Sequence, residues 1–329
     1  MESCTVDPAL TRTQIDDFRF PLGAYPVEPM TPRPGYALQF EPADGGNDEA
    51  DWEEWPDRYV FDIVISAERV EPLCRMLFAL LPPRVYPILD VLGHDAYREI
   101  DPYIAYDLVS IERFTDGVRR YRDFLFEDGL VGFGAMSEEP FLYIFVDEHK
   151  IITVRVQPEY KERVEKILQA FDLEQVDEPA GADAAAHEHR SVLLAPEDQP
   201  DLLDPDQIVE RLRDDWQLVL NVDPDSNDDE NDQPLGETHW RCIARCEPAE
   251  GDPSYAEIIL RAPNLRVAEE TAFGAVEILS DDPDSWDDVV IVSSNRLKPE
   301  QVSALKGLQK PAKQPDTDGH VVSARWLGG

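Results

Sequence analysis

Basic residues are scarce in this chain. Lys and Arg total 30 against 69 Asp and Glu, a formal net charge of −39, and no lysine occurs before Lys150. Nucleic acids and anionic membranes are bound through clustered Lys and Arg that displace counterions, so neither is expected as a direct partner. Cysteine is scarce as well. Cys4, Cys74, Cys242 and Cys246 are too few and too scattered for a disulfide framework. Long apolar runs are missing: none approaches the roughly 20 residues that span a bilayer. The opening MESCTVDPAL has neither a basic nor an apolar leader region, so no secretory signal is expected. These shortages together point to a soluble, cytoplasmic protein.

What is present is globular. The chain has 329 residues and is 42% hydrophobic, enough for two domains that each bury a core. Residues 1–56 are Pro-rich and then acidic, and read as an extended arm with one strand at Tyr36–Phe40. Within 57–175 the apolar residues take clean periods. Tyr59–Ile65 alternates as a strand, and Val70, Leu73, Cys74, Leu77, Leu80 and Leu81 form a helical stripe that is either capped by Ser66 or pushed by Pro72 to start near Glu71. Val85–Leu92 reads as a strand that Pro87 places near an edge. Tyr103–Val109 is a further strand, Phe114–Leu125 a helix, and Leu130–Phe133 a short strand. The runs Phe141–Val146 and Ile151–Val156 predict a central hairpin around Asp147–Lys150, and Pro158 opens a last helix through Phe171.

Residues 176–190 are small and acidic and read as a linker. Residues 191–329 then form a second domain. It has a strand at Ser191–Leu194, a helix at Gln207–Asp214, a strand at Trp216–Val222 and a solvated acidic loop at 223–233. After the loop come strands at Thr238–Cys246 and Tyr255–Arg261, a helix at Leu265–Leu279, a strand at Val289–Val292, a short helix and a final strand, His320–Trp326. The fold class is α+β: two mixed, mainly antiparallel sheets with helices on one face.

No constellation in the sequence carries catalysis. The six histidines (His94, His149, His187, His189, His239, His320) lie outside any nucleophile motif. His149 falls in a hairpin turn, and His187 and His189 fall in the linker, a poor platform for positioned groups. His239, Cys242 and Cys246 cluster in sequence. On a strand, however, the two thiols sit about 13 Å apart and His239 points away, so no shared metal is expected there. Asp223, Asp225 and Asn227 begin like a calcium loop, but Asp228 and Pro234 stand where Gly and Glu are needed, leaving weak divalent-cation binding at most. Asp107, Arg113 and Tyr121 are candidates only for an enzyme site without a motif. The expectation is therefore no catalytic residue, no cofactor and no metal site. Trp52 and Trp55, in an acidic stretch, are candidate interaction anchors, more readily laid on their own domain than left free.

The chain closes on Trp326–Leu327–Gly328–Gly329 directly after a predicted strand. Two strands, a helix, a strand, a short helix and a strand precede it. That order and tail resemble the β-grasp fold of ubiquitin-like proteins and sulfur carriers, over about the last ninety residues only. The resemblance implies that the Gly329 carboxylate is adenylated and conjugated or thiolated, with Gly328 giving slim access. The functional expectation for the whole chain is an acidic, non-enzymatic interaction or scaffold protein with protein partners. A ubiquitin-like or sulfur-carrier module is the first alternative and an acidic nucleic-acid mimic the second.

Overall fold

The computed structural model describes residues 4–43, 55–194, 199, 202–229, 231–249, 251–280 and 286–327. The chain divides into two compact units, residues 1–91 with 102–221 and residues 92–101 with 222–329.

The first unit opens with short strands β1 (Gln14–Ile15), β2 (Phe18–Arg19) and β3 (Ala24–Pro26), followed by β4 (Gly35–Glu41) and β5 (Arg58–Val64). Helix α1 (Ala67–Phe78) begins directly after Ser66, the earlier of the two expected starts, and keeps Pro72 inside it. Burial of Val70, Leu73, Leu77 and Phe78, at about 1.5–3 kcal/mol each, outweighs the roughly 3 kcal/mol an interior proline costs. Strand β6 (Arg84–Leu92) is not at an edge as Pro87 suggested, because β7 (Ile100–Ala105) and β9 (Val131–Ser137) flank it. Each backbone N–H serves only one neighbour, so an interior proline removes a bond from one ladder and leaves the other intact.

Between those strands lie β8 (Val109–Ser110), α2 (Ile111–Arg120) and α3 (Arg122–Glu127), where a single helix was expected and Tyr121 interrupts it with non-helical backbone. The predicted hairpin is present as β10 (Leu142–Val146) and β11 (Ile152–Val156), and α4 (Lys161–Ala170) follows it. Strand β12 (His187–His189), helix α5 (Pro205–Trp216) and β13 (Leu218–Leu220) complete the unit. The main sheet runs β13-β7-β6-β9-β10-β11-β5-β4, with β8 on β6. Its ladders from β6 to β4 are antiparallel. Alternate side chains of the central hairpin, Leu142, Ile144, Val146, Ile152, Val154 and Val156, enter one core with α1 and α4.

Two boundaries differ from the sequence reading. Residues 176–190 are not a linker: His187–His189 pairs antiparallel with β3, and Arg33 bridges Ala180. The described part of the 1–56 segment is not merely an arm, since Phe20 and Ala24 are fully buried. Small-residue composition looked like a tether, but main-chain hydrogen bonds make these segments sheet, and composition does not report them. Helix α5 also belongs to the first unit, its Ile208, Leu212 and Trp216 lying in the main core.

The second unit contains β14 (Thr238–Pro248), β15 (Ser254–Ala262), α6 (Leu265–Leu279), β16 (Trp286–Leu297), α7 (Pro299–Ala304) and β17 (His320–Leu327). The sheet order is β16-β14-β15-β17 and all three ladders are antiparallel, with β17 beside β15. Asn264 caps α6 by accepting from the Val267 N–H, 3.0 Å away. The described part of the acidic loop is tied down: Arg266 clamps Asp225 with two bonds of 2.6 and 2.8 Å. Both units are thus α+β, mostly antiparallel sheet with packed helices.

Candidate metal centre

The β10–β11 turn is a tight one. Asp147 closes it by accepting from Ile151 N–H at 2.8 Å through Oδ1, and the Lys150 N–H donates to the Asp147 carbonyl at 3.1 Å. Lys150 itself takes the left-handed conformation, φ +65°, which turns its side chain inward to donate to the Val131 carbonyl. Burial pushes its ammonium down to about 8. One residue earlier, His149 is left at the rim of the turn with its side chain 14% exposed.

Strand β12 supplies the other two imidazoles. Residues two apart on a strand share a face, so the His-x-His spacing puts His187 and His189 on one side, with Glu188 on the other, exposed and bonded to Tyr25. That shared face meets His149. The three rings form a propeller with centroids 4.7, 4.7 and 5.0 Å apart and interplanar angles of 74–76°. Ligand nitrogens from all three lie within 4.8 Å of one another, and Nε2 of His149 is 2.9 Å from Nε2 of His187.

Backbone carbonyls fix the tautomers. A carbonyl oxygen can only accept, so Nδ1 of His187, 2.8 Å from the Ala185 oxygen, carries a proton. Nδ1 of His189, 2.7 Å from the Gly129 oxygen, does as well. In the neutral rings this leaves Nε2 of His187 and of His189 as the atom with a free lone pair. The third ring is held by charge. Its Nδ1 lies 3.6 Å from the Asp147 carboxylate and 3.4 Å from that of Glu148. Burial alone would lower the His149 pKa, but the Asp147, Glu148 and Asp183 carboxylates outweigh it and leave the ring above its ordinary value. His189 moves the other way, lowered by burial and by the adjacent imidazoles, which favours its neutral, ligating form.

These dimensions can be compared with a shared ion. Three imidazoles bonded through nitrogen at about 2.0–2.1 Å place ring centroids about 4.5 Å apart at right-angle coordination and about 5.2 Å at tetrahedral coordination. The observed separations fall inside that interval. Imidazole suits zinc, copper, nickel and iron better than calcium or magnesium. An Nδ1–H donated to a carbonyl or carboxylate is also the usual outer support of a metal-bound histidine.

No protein-family model matches the chain, and no curated protein or solved structure is significantly similar to it.

The residues singled out from sequence fare differently. His149, His187 and His189 were set aside as turn and linker residues, and the structure brings them together. The signal available for them was the His-x-His spacing. Cys242 and Cys246 are free and fully buried in β14, where burial pushes the Cys242 thiol up to about 12. Among the described residues they join no cluster of metal-ligating groups. Asp225 is engaged by Arg266. Asp107 is exposed while Tyr121 is fully buried. Trp55 lies edge-on to Phe141 at 5.2 Å, with the Arg58 and Arg155 guanidiniums over its ring, so it is laid on the first unit. Trp52, Gly328 and Gly329 lie outside the described residues. No described helix is long and apolar enough to cross a membrane.

Proposed function

We propose that this protein binds a transition-metal ion of the zinc class through Nε2 of His149, His187 and His189. One observation carries the reading: three imidazoles converge with ligand nitrogens within 4.8 Å of one another, and two of them have Nδ1 committed to carbonyls, which leaves their Nε2 lone pairs free to ligate. Left without an ion, two such lone pairs would be a poor arrangement, satisfied only by a proton that His149 can share with one of them. A divalent cation satisfies all three.

The surplus of acid supports the same reading. Asp147, Glu148 and Asp183 set a negative potential at the site, and a net charge of −39 draws cations to the surface. The same carboxylates disfavour a metal-bound hydroxide, since they repel a second negative charge beside the ion. The site is therefore read as one that holds an ion, in keeping with an acidic protein that acts by interaction and not by catalysis. Isothermal titration of the full chain with zinc chloride tests it. One ion per chain is expected, and His187→Ala or His189→Ala should weaken binding at least 100-fold. Affinity in either variant equal to that of the parent chain would refute the assignment.

A further inference from the structure

Residues 4–35 run along the first unit as a strap with a small core of its own. Phe18 and Phe20 are buried with Val64 and Ala182, and Ile151 packs beside them, in a cluster separate from the main core. Within residues 4–35 the buried hydrophobic side chains are Phe18, Phe20, Leu22 and Ala24, with Cys4 only partly buried against the main core, a slender fastening for 32 residues. The sheet holding the strap is equally slight: β3 and β12 pair over three residues, with His187 opposite Pro26 and His189 opposite Ala24. Ladders this short are marginal without further support.

The histidines sit on that ladder. A closed circuit of main-chain bonds joins them to the strap: Arg190 N–H to the Gly23 carbonyl at 2.8 Å, Gly129 N–H to the Arg190 carbonyl at 3.2 Å, and Gly23 N–H to the Glu127 carbonyl at 2.8 Å. The Gly129 carbonyl in turn accepts from Nδ1 of His189 at 2.7 Å. Gly23 and Gly129 touch so closely that a Cβ on either would overlap the backbone of the other. His149 belongs to none of this, lying on the β10–β11 turn 38 residues from His187. An ion shared by the three rings would join the strap's ladder to the rigid centre of the main sheet.

The geometry points to the ion as the clasp of this strap: its binding closes β12, and through β12 residues 4–35, onto the β10–β11 turn. This rests on the metal-binding reading above. Small cores are commonly supplemented by a structural metal for the reason that applies here, too little apolar area to hold a segment alone. Because the ligands are assembled only when β12 is docked, the ion binds the closed state, and local opening becomes rarer by the factor 1 + [M]/Kd.

Amide hydrogen exchange on the full chain, with and without zinc chloride at one hundred times its Kd, reads that factor. The reporting amides are Val27, which donates to the Ala186 carbonyl at 2.8 Å, and Arg190. Both should slow by about 100-fold on zinc addition, while β14 and β15 amides of the second unit stay unchanged. In His187→Ala, with its affinity weakened at least 100-fold, the same zinc concentration should slow these amides about twofold or less. Zinc bound by the three imidazoles with Val27 and Arg190 exchanging at unaltered rates would overturn the clasp and leave the metal site standing. Absence of zinc binding would remove both.

Discussion

The Asp95 carboxylate and the Arg296 guanidinium form a buried ion pair within the second unit, 2.9 Å apart with side chains 0% and 6% exposed. Asp95 also accepts from the main-chain N–H groups of Arg296 and Tyr97, at 2.7 and 2.9 Å. Arg296 donates onward to the Asp228 carbonyl at 2.6 Å and lies over the rings of Tyr97 and Trp240. One charged pair thereby fixes the 92–101 segment, β16 and the acidic loop. Removing either partner leaves the other charge buried, so Asp95→Ala or Arg296→Ala should each cost about 3–5 kcal/mol. The double variant should cost less than the sum. Urea unfolding followed by tryptophan fluorescence measures both, and additive losses would show that the pair is not coupled.

Asp90 gives a pH dependence of known sign. Burial, with Glu148 nearby, raises its pKa from 3.8 to about 6, so the native state holds this proton more tightly than the unfolded state does. The contribution of Asp90 to stability is then fully present below about pH 4, declines between 4 and 6, and above 6 is lower by at most about 3 kcal/mol. Asp90→Asn lacks this dependence. Its advantage over the parent chain should grow from near zero at pH 4 to at most about 3 kcal/mol at pH 7, read from denaturation midpoints at the two pH values. A constant difference would contradict the assigned shift.

Gly129→Ala places a methyl against the Gly23 carbonyl, where neither backbone can yield without breaking the circuit through Arg190. Overpacking of this kind costs about 1–3 kcal/mol. The loss should appear first as proteolysis within residues 4–35, with β14–β17 unaffected. A variant whose strap resists protease like the parent chain would show the contact to be dispensable.

Much of the fold could be read from periodicity. The run Tyr59–Ile65, the hairpin of Phe141–Val146 with Ile151–Val156, and the helix Leu265–Leu279 are found close to their expected bounds, because each buries one face and its pattern reports that face. The three-histidine cluster could not be read in the same way. His149 and His187 are far apart in the chain, and their meeting depends on a three-residue ladder inside a stretch whose composition resembles a tether. Two of the orienting groups, the carbonyls of Ala185 and Gly129, belong to the main chain, where residue type carries no trace of them. The His-x-His spacing was visible, but it gains meaning only once residues 187–189 are seen to be extended.

The six histidines allow one direct test of the central claim. Long-range nitrogen–proton NMR spectra of the full chain, recorded as zinc chloride is added to one equivalent, resolve each ring's Nε2. The account predicts that Nε2 of His149, His187 and His189 shifts to the metal-bound position together, with Nδ1 of His187 and His189 still protonated. His94, His239 and His320 should not move. Zinc shifts scattered over all six rings, or a set of shifted rings that omits any one of the three, would contradict it.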